Sequence, residues 1–548
     1  MPITSIRGAD VVAQTLERFK VKRIFSLSGN HIMPIYDALL DTNIEIIHVR
    51  HEAACVYMAD AYSRVTGEVG FALVTGGPGH ANAVAALVTS LASEAPMVLL
   101  SGHAGLGELG KGGFQEMQQA NFATEVTKAS WTAQSAATLG HDLARAMQIA
   151  SSGRPGPVHL SLPVDLLEQR IEADPRLWPE ASAAAALPSS LADQAADLVH
   201  AEIKAAKRPL ILCGPTLCSE RGRNWMRQLE QMTSVPVVGM ESPRGINDPS
   251  LGAFAEVLAQ ADLIVLLGKA LDFTLRFGNA PHVAADCSWI VIDPDPKLLA
   301  RAAKSKKERV LLSALAGPSE AINTMLARPR DSDRRSDAWL EETKAALSYR
   351  PVQWSGLESG ADGPVHPVEL GRALQAFFDR HPEATLVCDG GEIGQWPQAT
   401  VSVKKRLING VAGSIGPSLP FALAAQVANP GQPVVAVMGD GAFGFHMAEF
   451  DTAVRYGLPV IVVVGNDAKW NAEYQIQLRD YGKSRAHGCA LLPSRYEKVA
   501  EALGGHGEYV TKATNLGLAL ERAFQSGKPA CINVVLESVA SPVVRREQ

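Results

Sequence analysis

Short runs of apolar residues, many of them β-branched, recur along this chain, and they alternate with stretches of helical character. Between residue 8 and about residue 175 the runs lie in VKRIFSLSG, IEIIHVR, GFALVTGG, PMVLLSG and GPVHLSLP. Such alternation implies a parallel sheet wrapped by helices. RPLILCG, PVVGM, DLIVLLG and WIVID repeat the pattern as far as about residue 328, and TLVCDGG, PVVAVMGDG, PVIVVVGND and ACINVVLE repeat it a third time.

Two weakly patterned segments separate the repeats. EASAAAALPSS, residues 180–190, is rich in Ala and Ser, and the polar RPRDSDRRSD leads on to LSYRPVQWSGLESGADGP. Both read as linkers. The expectation is an α/β protein of three doubly wound parallel-sheet domains, at residues 1–178, 190–328 and 355–548, in keeping with a 548-residue chain that exceeds what one core organises. Such sheets place ligands outside the C-terminal ends of their strands, so the loops there are where chemistry is sought.

Composition narrows the partners. The chain is 47% hydrophobic and 20% charged, as soluble globular proteins are. Its net charge is −6 and no Lys/Arg block stands out, so no nucleic-acid partner is expected and a small molecule is. The N-terminus lacks a basic stretch followed by an apolar core, and no run approaches the ~18 apolar residues that span a bilayer, which points to the cytoplasm and to no membrane partner. The seven cysteines (Cys55, Cys213, Cys218, Cys287, Cys388, Cys489 and Cys531) form no CxxC pair and read as buried thiols. Cys213 and Cys218 are the nearest pair, without two further ligands at metal-site spacing.

The most informative turn follows the strand VVAVM, residues 434–438. Gly439-Asp440-Gly441-Ala442-Phe443-Gly444 leads into the helix-compatible HMAEFDTAVRYG. Glycines let the backbone approach a phosphate, and a helix start offers free N–H groups. The same six residues satisfy GxGxxG, so a dinucleotide site is an alternative. Asp440 counts against it, because an acid repels a bare pyrophosphate but suits one bridged by a hard cation. The next strand, PVIVVVG, ends in Asn466-Asp467, which puts a second oxygen ligand at the neighbouring strand end, 27 positions after Asp440. Two such ligands fit Mg²⁺ or Ca²⁺ on a diphosphate.

GDG followed at that spacing by an Asn-Asn-like pair resembles the signature of thiamine-diphosphate enzymes. That family usually has Asn where this chain has Asp467, and a carboxylate oxygen still coordinates Mg²⁺. The resemblance implies that Asp440 and Asp467 ligate the metal by side chain and Lys469 by its main-chain carbonyl. It also implies cofactor contacts from Gly441 and Ala442 in the turn, and from Gly391, Glu392 and Ile393 after TLVCDG. In the first domain, IEIIHV ends in Arg50-His51-Glu52-Ala53-Ala54. An acid in a first helical turn is by itself a dipole partner. The resemblance makes Glu52 the cofactor-activating acid, which shares a proton with the pyrimidine ring so that the exocyclic amine becomes the imine that deprotonates C2. Gly413-Ser414-Ile415-Gly416 resembles the loop that binds the aminopyrimidine, with Ile415 bending the cofactor; a core aliphatic is the alternative for Ile415. The family's arrangement sets the Glu-bearing domain of one subunit against the metal-bearing domain of another, so a homodimer is the minimum and a homotetramer the expected assembly.

Within this superfamily SLSGNHIMPIYDALLD is most similar to acetolactate synthases and benzaldehyde lyases. His31 falls where benzaldehyde lyases carry an active-site His, and is either a proton relay to substrate or a capped loop residue. Gln115 matches a Gln that acetolactate synthases present to cofactor and substrate. AEFDTAVRYGLPVIVVVGNDAKW resembles benzaldehyde lyase and puts Trp470 either in the pocket wall, beside the cofactor, or in the core. LLGKALDFTLRFG and CALLPSRYEKVAEALGGHGEYV resemble oxalyl-CoA decarboxylases and 2-hydroxyacyl-CoA lyases, which leaves an acyl-CoA substrate open; Arg276, Arg479 and Arg495 are then either phosphate contacts or solvated surface residues. Gly394 stands where benzaldehyde lyase has a pocket Tyr, so a roomier pocket or a different substrate is implied.

The reaction implied is cleavage or formation of a carbon–carbon bond next to a carbonyl, through an enamine carbanion, with a 2-hydroxyacyl lyase or carboligase as the leading reading. The alternatives are an acetolactate-synthase type of enzyme that uses pyruvate, a nicotinamide oxidoreductase using the GxGxxG, and a silent relative, against which Glu52 argues. The central domain is left open to FAD, ADP or neither.

Overall fold

The apolar runs become the strands of three all-parallel sheets. The computed structural model describes residues 5–328, 338–360 and 363–546. The second expected linker therefore falls in part, over 329–337 and 361–362, outside the described residues, as do residues 1–4 of the N-terminal segment.

The chain divides into two compact units. One comprises Met1–Leu187 with Leu423–Ala428 and Asp451–Tyr456; the other comprises Pro188–Ala422, Asn429–Phe450 and Gly457–Gln548. The first unit holds a sheet whose strands run, in spatial order, Glu45–His48, Arg23–Ser26, Gly70–Val74, Met97–His103, Pro157–Pro163 and Ala129–Thr132. The second unit holds a sheet in the order Lys405–Ile408, Thr385–Cys388, Val434–Gly439, Ile461–Asn466, Ala530–Val535 and His506–Val510, and another in the order Val237–Gly239, Pro209–Cys213, Leu263–Leu267, Ser288–Asp293 and Val310–Leu315. Numbered along the chain, both six-stranded sheets read 2-1-3-4-6-5. Each thus has a switch point between its first and third strands, where connections leave in opposite directions and a crevice opens. A short antiparallel pair, Ser5–Arg7 with Arg170–Glu172, completes the strands of the first unit.

Central strands are buried along their whole length, as Met97–His103 and Pro157–Pro163 show. They pair in register from Met97 with Pro157 to His103 with Pro163. Both carry buried polar side chains (Ser101, His103, His159 and Ser161), which burial obliges to find partners. Besides the short antiparallel pair, four strands of the parallel sheets were not among the expected runs: Ala129–Thr132, Val310–Leu315, Lys405–Ile408 and His506–Val510. All four lie at sheet edges. Val310–Leu315 shows why, since its residues alternate between half-buried and exposed and so form no continuous apolar run.

Helix Glu52–Thr66 begins where the sequence places it. The His51 ring caps it by accepting from the Ala53 N–H at 3.1 Å, and Gly67, in the left-handed region at φ 75°, ends it. The helix after the GDG turn starts at Asp440 itself and stops at His446; a second one, Glu449–Arg455, takes over the rest of the expected stretch. The seven cysteines are buried free thiols. Among the described residues, no helix is long and apolar enough to cross a membrane.

Trp289 is the largest side chain buried in the five-stranded sheet; the Lys306 ammonium lies 5.4 Å from its ring centre, and a Cβ on Gly278 would come within 2.8 Å of the ring. Trp289→Ala should cost about 3–5 kcal/mol by emptying that volume. Urea unfolding followed on both units checks this: the transition of the larger unit should move to lower denaturant while that of the smaller stays in place.

Candidate active site

In the larger unit, four strand ends supply the expected cofactor residues. Asp440 and Asp467 leave neighbouring strands whose pairing runs from Val435 with Ile461 to Gly439 with Gly465. Asp440 is 1% exposed and Asp467 7%. Asp440 Oδ1 accepts the Gly441 N–H at 2.9 Å, but its Oδ2, and both carboxylate oxygens of Asp467, are buried without a hydrogen-bond partner. Burial first, and then the Asp467 charge, push Asp440 up to about 7; burial pushes Asp467 up to about 6, with the Lys469 ammonium pulling the other way. Paired buried acids with bare oxygens have the chemistry of a hard-cation site. No group of three or more His, Cys, Asp or Glu side chains suited to a metal occurs among the described residues, so an ion here would take its other ligands from main chain, ligand or water.

The turn around Asp467 is shaped from behind. Asn466, the first residue of the expected pair, sends its amide to the Ser494 carbonyl and to Asn533 Oδ1, and its own Oδ1 accepts from Ala468 N–H. Ala468 is left-handed at φ 55°. This reversal brings Lys469 into a bridge with Ala490 and lets Trp470 N–H donate to the Cys489 carbonyl at 2.8 Å. The Trp470 indole then lies against the GDG turn, so close that a Cβ on Gly441 would be 2.5 Å from the ring. Trp470 is therefore a wall of the turn, half-buried, and Gly441 has to be glycine.

Behind the turn, Ile393 packs against Gly465, whose Cβ would sit 2.5 Å from Ile393 Cγ2. The Glu392 carboxylate is occupied: it accepts from Ser541 N–H at 2.6 Å and faces Arg244 at 3.3 Å. Gly391, at φ 73°, borders open space. Ile415 is half-buried, its Cγ2 2.9 Å from where a Gly390 Cβ would stand, and Gly413 and Gly416 on either side are left-handed at φ 71° and 93°. Gly394, which stands where a pocket Tyr is expected, is confined by its own neighbours. A Cβ there would lie 1.9 Å from the Asp389 carbonyl oxygen, so no side chain fits and the glycine is a packing requirement.

In the smaller unit, the turn Thr75–Gly79, at the end of Gly70–Val74, gathers the other expected residues. Glu52 accepts from the Asn82 amide at 3.0 Å, and its Oε1 lies 3.2 Å from the position of a Gly79 Cβ. His31, 3% exposed, meets Thr75 Oγ1 through both its N–H (3.4 Å) and Nδ1 (3.2 Å). The Phe114 ring stacks on His31 at 5.9 Å. Burial holds the His31 pKa below its ordinary value. Gln115 is left-handed at φ 55°, and its carbonyl oxygen sits 2.6 Å from where a Cβ on Gly77 would be.

Beneath that turn is a polar network that the sequence did not signal. Gln119 accepts from Gly77 N–H (2.9 Å) and donates to the Gly102 carbonyl (3.1 Å) and Ser161 Oγ (3.0 Å). The rings of His80 and His103 reach the Gln119 and Met117 carbonyls at 3.1 and 3.0 Å. These side chains pin the segment that presents Gln115. The TGGPG sequence at 75–79 was the one available hint. Of the arginines proposed for phosphates, Arg479 pairs with Asp480 at 2.7 Å and Arg495 with Glu497 at 2.5 Å, whereas Arg276 is an exposed left-handed residue.

Residues 6–122 match the family model "Thiamine pyrophosphate enzyme, N-terminal TPP binding domain", and residues 389–534 match "Thiamine pyrophosphate enzyme, C-terminal TPP binding domain". The chain is 31% identical over 555 residues to a probable acetolactate synthase of Mycobacterium bovis, covering 99% of this chain and 98% of that protein. It is 26% identical over 564 residues to a 2-hydroxyacyl-CoA lyase of Arabidopsis thaliana, covering 98% and 96%. To oxalyl-CoA decarboxylase of Escherichia coli K12 it is 27% identical over 550 residues, covering 97% and 95%.

The raised acids set a pH dependence. The fold keeps protons on Asp440 and Asp467 that the unfolded chain, with carboxyls at the ordinary 3.8, has already released. Their contribution to the stability of metal-free protein should therefore fall as pH rises from about 4 to about 7. Thermal melts in chelator check this: Asp440→Asn should flatten the fall relative to the unsubstituted protein, and should also remove any gain in melting temperature on adding Mg²⁺.

Proposed function

Because this chain belongs to the thiamine pyrophosphate enzyme family, and is a thiamine-diphosphate-dependent enzyme, we propose that it cleaves or forms a carbon–carbon bond next to a carbonyl in a 2-hydroxyacyl compound or 2-hydroxyketone. When bound, the cofactor supplies the electron sink for that bond change. Asp440 and Asp467, with the Lys469 carbonyl, would hold Mg²⁺ or Ca²⁺ against its diphosphate, and their bare buried oxygens support this. Gly441, Ala442 and Gly391 would offer main-chain contacts, and Trp470 and Ile415 would shape the space. Glu52 would hold a proton on the pyrimidine nitrogen, with Asn82 orienting its other oxygen. In this reading Glu52 of one copy serves the carboxylate pair of a second, so the active unit is a homodimer, assembled further as a homotetramer.

The observation that carries the lyase reading is His31. Splitting a 2-hydroxy compound requires removal of its hydroxyl proton, whereas loss of CO₂ from a 2-oxo acid needs no base. A buried imidazole whose pKa is lowered is neutral at pH 7 and able to accept that proton. Gln115 would orient the substrate beside it. The likeness to a 2-hydroxyacyl-CoA lyase supports an acyl-CoA form of the substrate. A second reading, ligation after decarboxylation of pyruvate, is favoured by the 31% identity to a probable acetolactate synthase.

An NMR time course with Mg²⁺ and thiamine diphosphate, offering pyruvate and a 2-hydroxyacyl-CoA together, tests the choice. Loss of the acyl-CoA with release of an aldehyde or ketone is expected; conversion of pyruvate to acetolactate would replace the lyase by the synthase. His31→Gln should slow cleavage about 100-fold and leave C2 proton exchange intact, and Glu52→Gln should slow that exchange by about 100-fold or more while sparing cofactor binding. Unchanged turnover in Glu52→Gln would remove that residue from the mechanism.

A further inference from the structure

We propose that Asp389 is a positioning residue for the cofactor site, which holds the 413–418 turn so that Ile415 stands where it can bend the cofactor; this rests on the reading of Ile415 given above. Asp389 is fully buried at the end of strand Thr385–Cys388. Its carboxylate collects three main-chain donors: Gly390 N–H at 2.8 Å, Gly416 N–H at 2.9 and 3.1 Å to its two oxygens, and Ser418 N–H at 3.1 Å. From the next strand end Asn409, equally buried, donates its amide to the Ser414 carbonyl at 2.6 Å. The turn is thus gripped by its N–H groups on one side of Ile415 and by a carbonyl on the other.

Contacts on both flanks leave little play. A Cβ on Gly390 would stand 2.9 Å from both Ile415 Cγ2 and the Ser414 carbonyl oxygen, and one on Gly416 would stand 2.7 Å from Phe445 Cβ. Only a carboxylate answers three converging donors without presenting one of its own; an amide would turn an NH₂ toward one of them. Burying the acid is unfavourable, and burial outweighs the N–H contacts enough to push Asp389 up to about 6. Local conflicts of this kind concentrate where a backbone position matters to function.

The test compares Asp389→Asn with Ile415→Ala in the full-length protein, reading amide hydrogen exchange of the 413–418 segment without cofactor, thiamine diphosphate affinity in Mg²⁺, and C2 proton exchange of the bound cofactor. Asp389→Asn should speed amide exchange about tenfold and weaken affinity by less than about tenfold. It should slow C2 exchange about 10- to 100-fold, as Ile415→Ala does, because the effect is one of geometry. Slow C2 exchange in Ile415→Ala with normal exchange in Asp389→Asn would overturn the role of Asp389 alone. Normal C2 exchange in Ile415→Ala would overturn the reading of Ile415 and this proposal with it. Should Asp389→Asn not fold, Asn409→Ala, which frees only the Ser414 carbonyl, carries the same predictions.

Discussion

Two carboxylates buried at adjacent strand ends repel one another, and the less water surrounds them the harder they do so. Asp440 and Asp467 are in that position, with three of their four oxygens making no well-formed hydrogen bond. Protonation or a shared cation would relieve the conflict, and a cation there would leave the pair ready to receive a diphosphate. Much of the larger unit serves this arrangement. The parallel register that sets Gly439 beside Gly465 brings both acids out at one edge, the left-handed Ala468 turns the chain back, and Trp470 covers Gly441.

The two six-stranded sheets share one strand order, and each places its candidate site residues at the same edge. In one they are acids, glycines and Ile415; in the other, Glu52, His31 and Gln115, gathered by Thr75–Gly79. The same solution recurs because a parallel sheet buries its strands on both faces and leaves its C-terminal loops free to vary. Each site has its own buried polar support: Asp389 and Asn409 beneath one turn, Gln119, His80 and His103 beneath the other.

What was legible in the sequence follows from this division. Strands buried on both faces announce themselves as continuous apolar runs, so the centres of all three sheets were readable. Ala129–Thr132, Val310–Leu315, Lys405–Ile408 and His506–Val510, each half-covered at an edge, were not. Asp440 stood out as an acid among turn glycines and Asp467 as a second acid at the neighbouring strand end, whereas Glu52, an ordinary acid in a first helical turn, was singled out only by the family resemblance. Asp389 and Gln119 were not, since their meaning lies in N–H groups contributed by segments tens of residues away. The packing need at Gly394 was hidden for the same reason: its neighbour is the Asp389 carbonyl, which a one-dimensional pattern does not reveal.

The claim on which the rest depends is that Asp440 and Asp467 bind thiamine diphosphate through a divalent cation. Isothermal titration of thiamine diphosphate into the protein, with Mg²⁺ and then with the metal chelated, addresses it directly. The account predicts tight binding with Mg²⁺, no measurable binding in chelator, and none in Asp440→Ala under either condition. Binding of equal affinity with and without metal, or binding kept in Asp440→Ala, would contradict it.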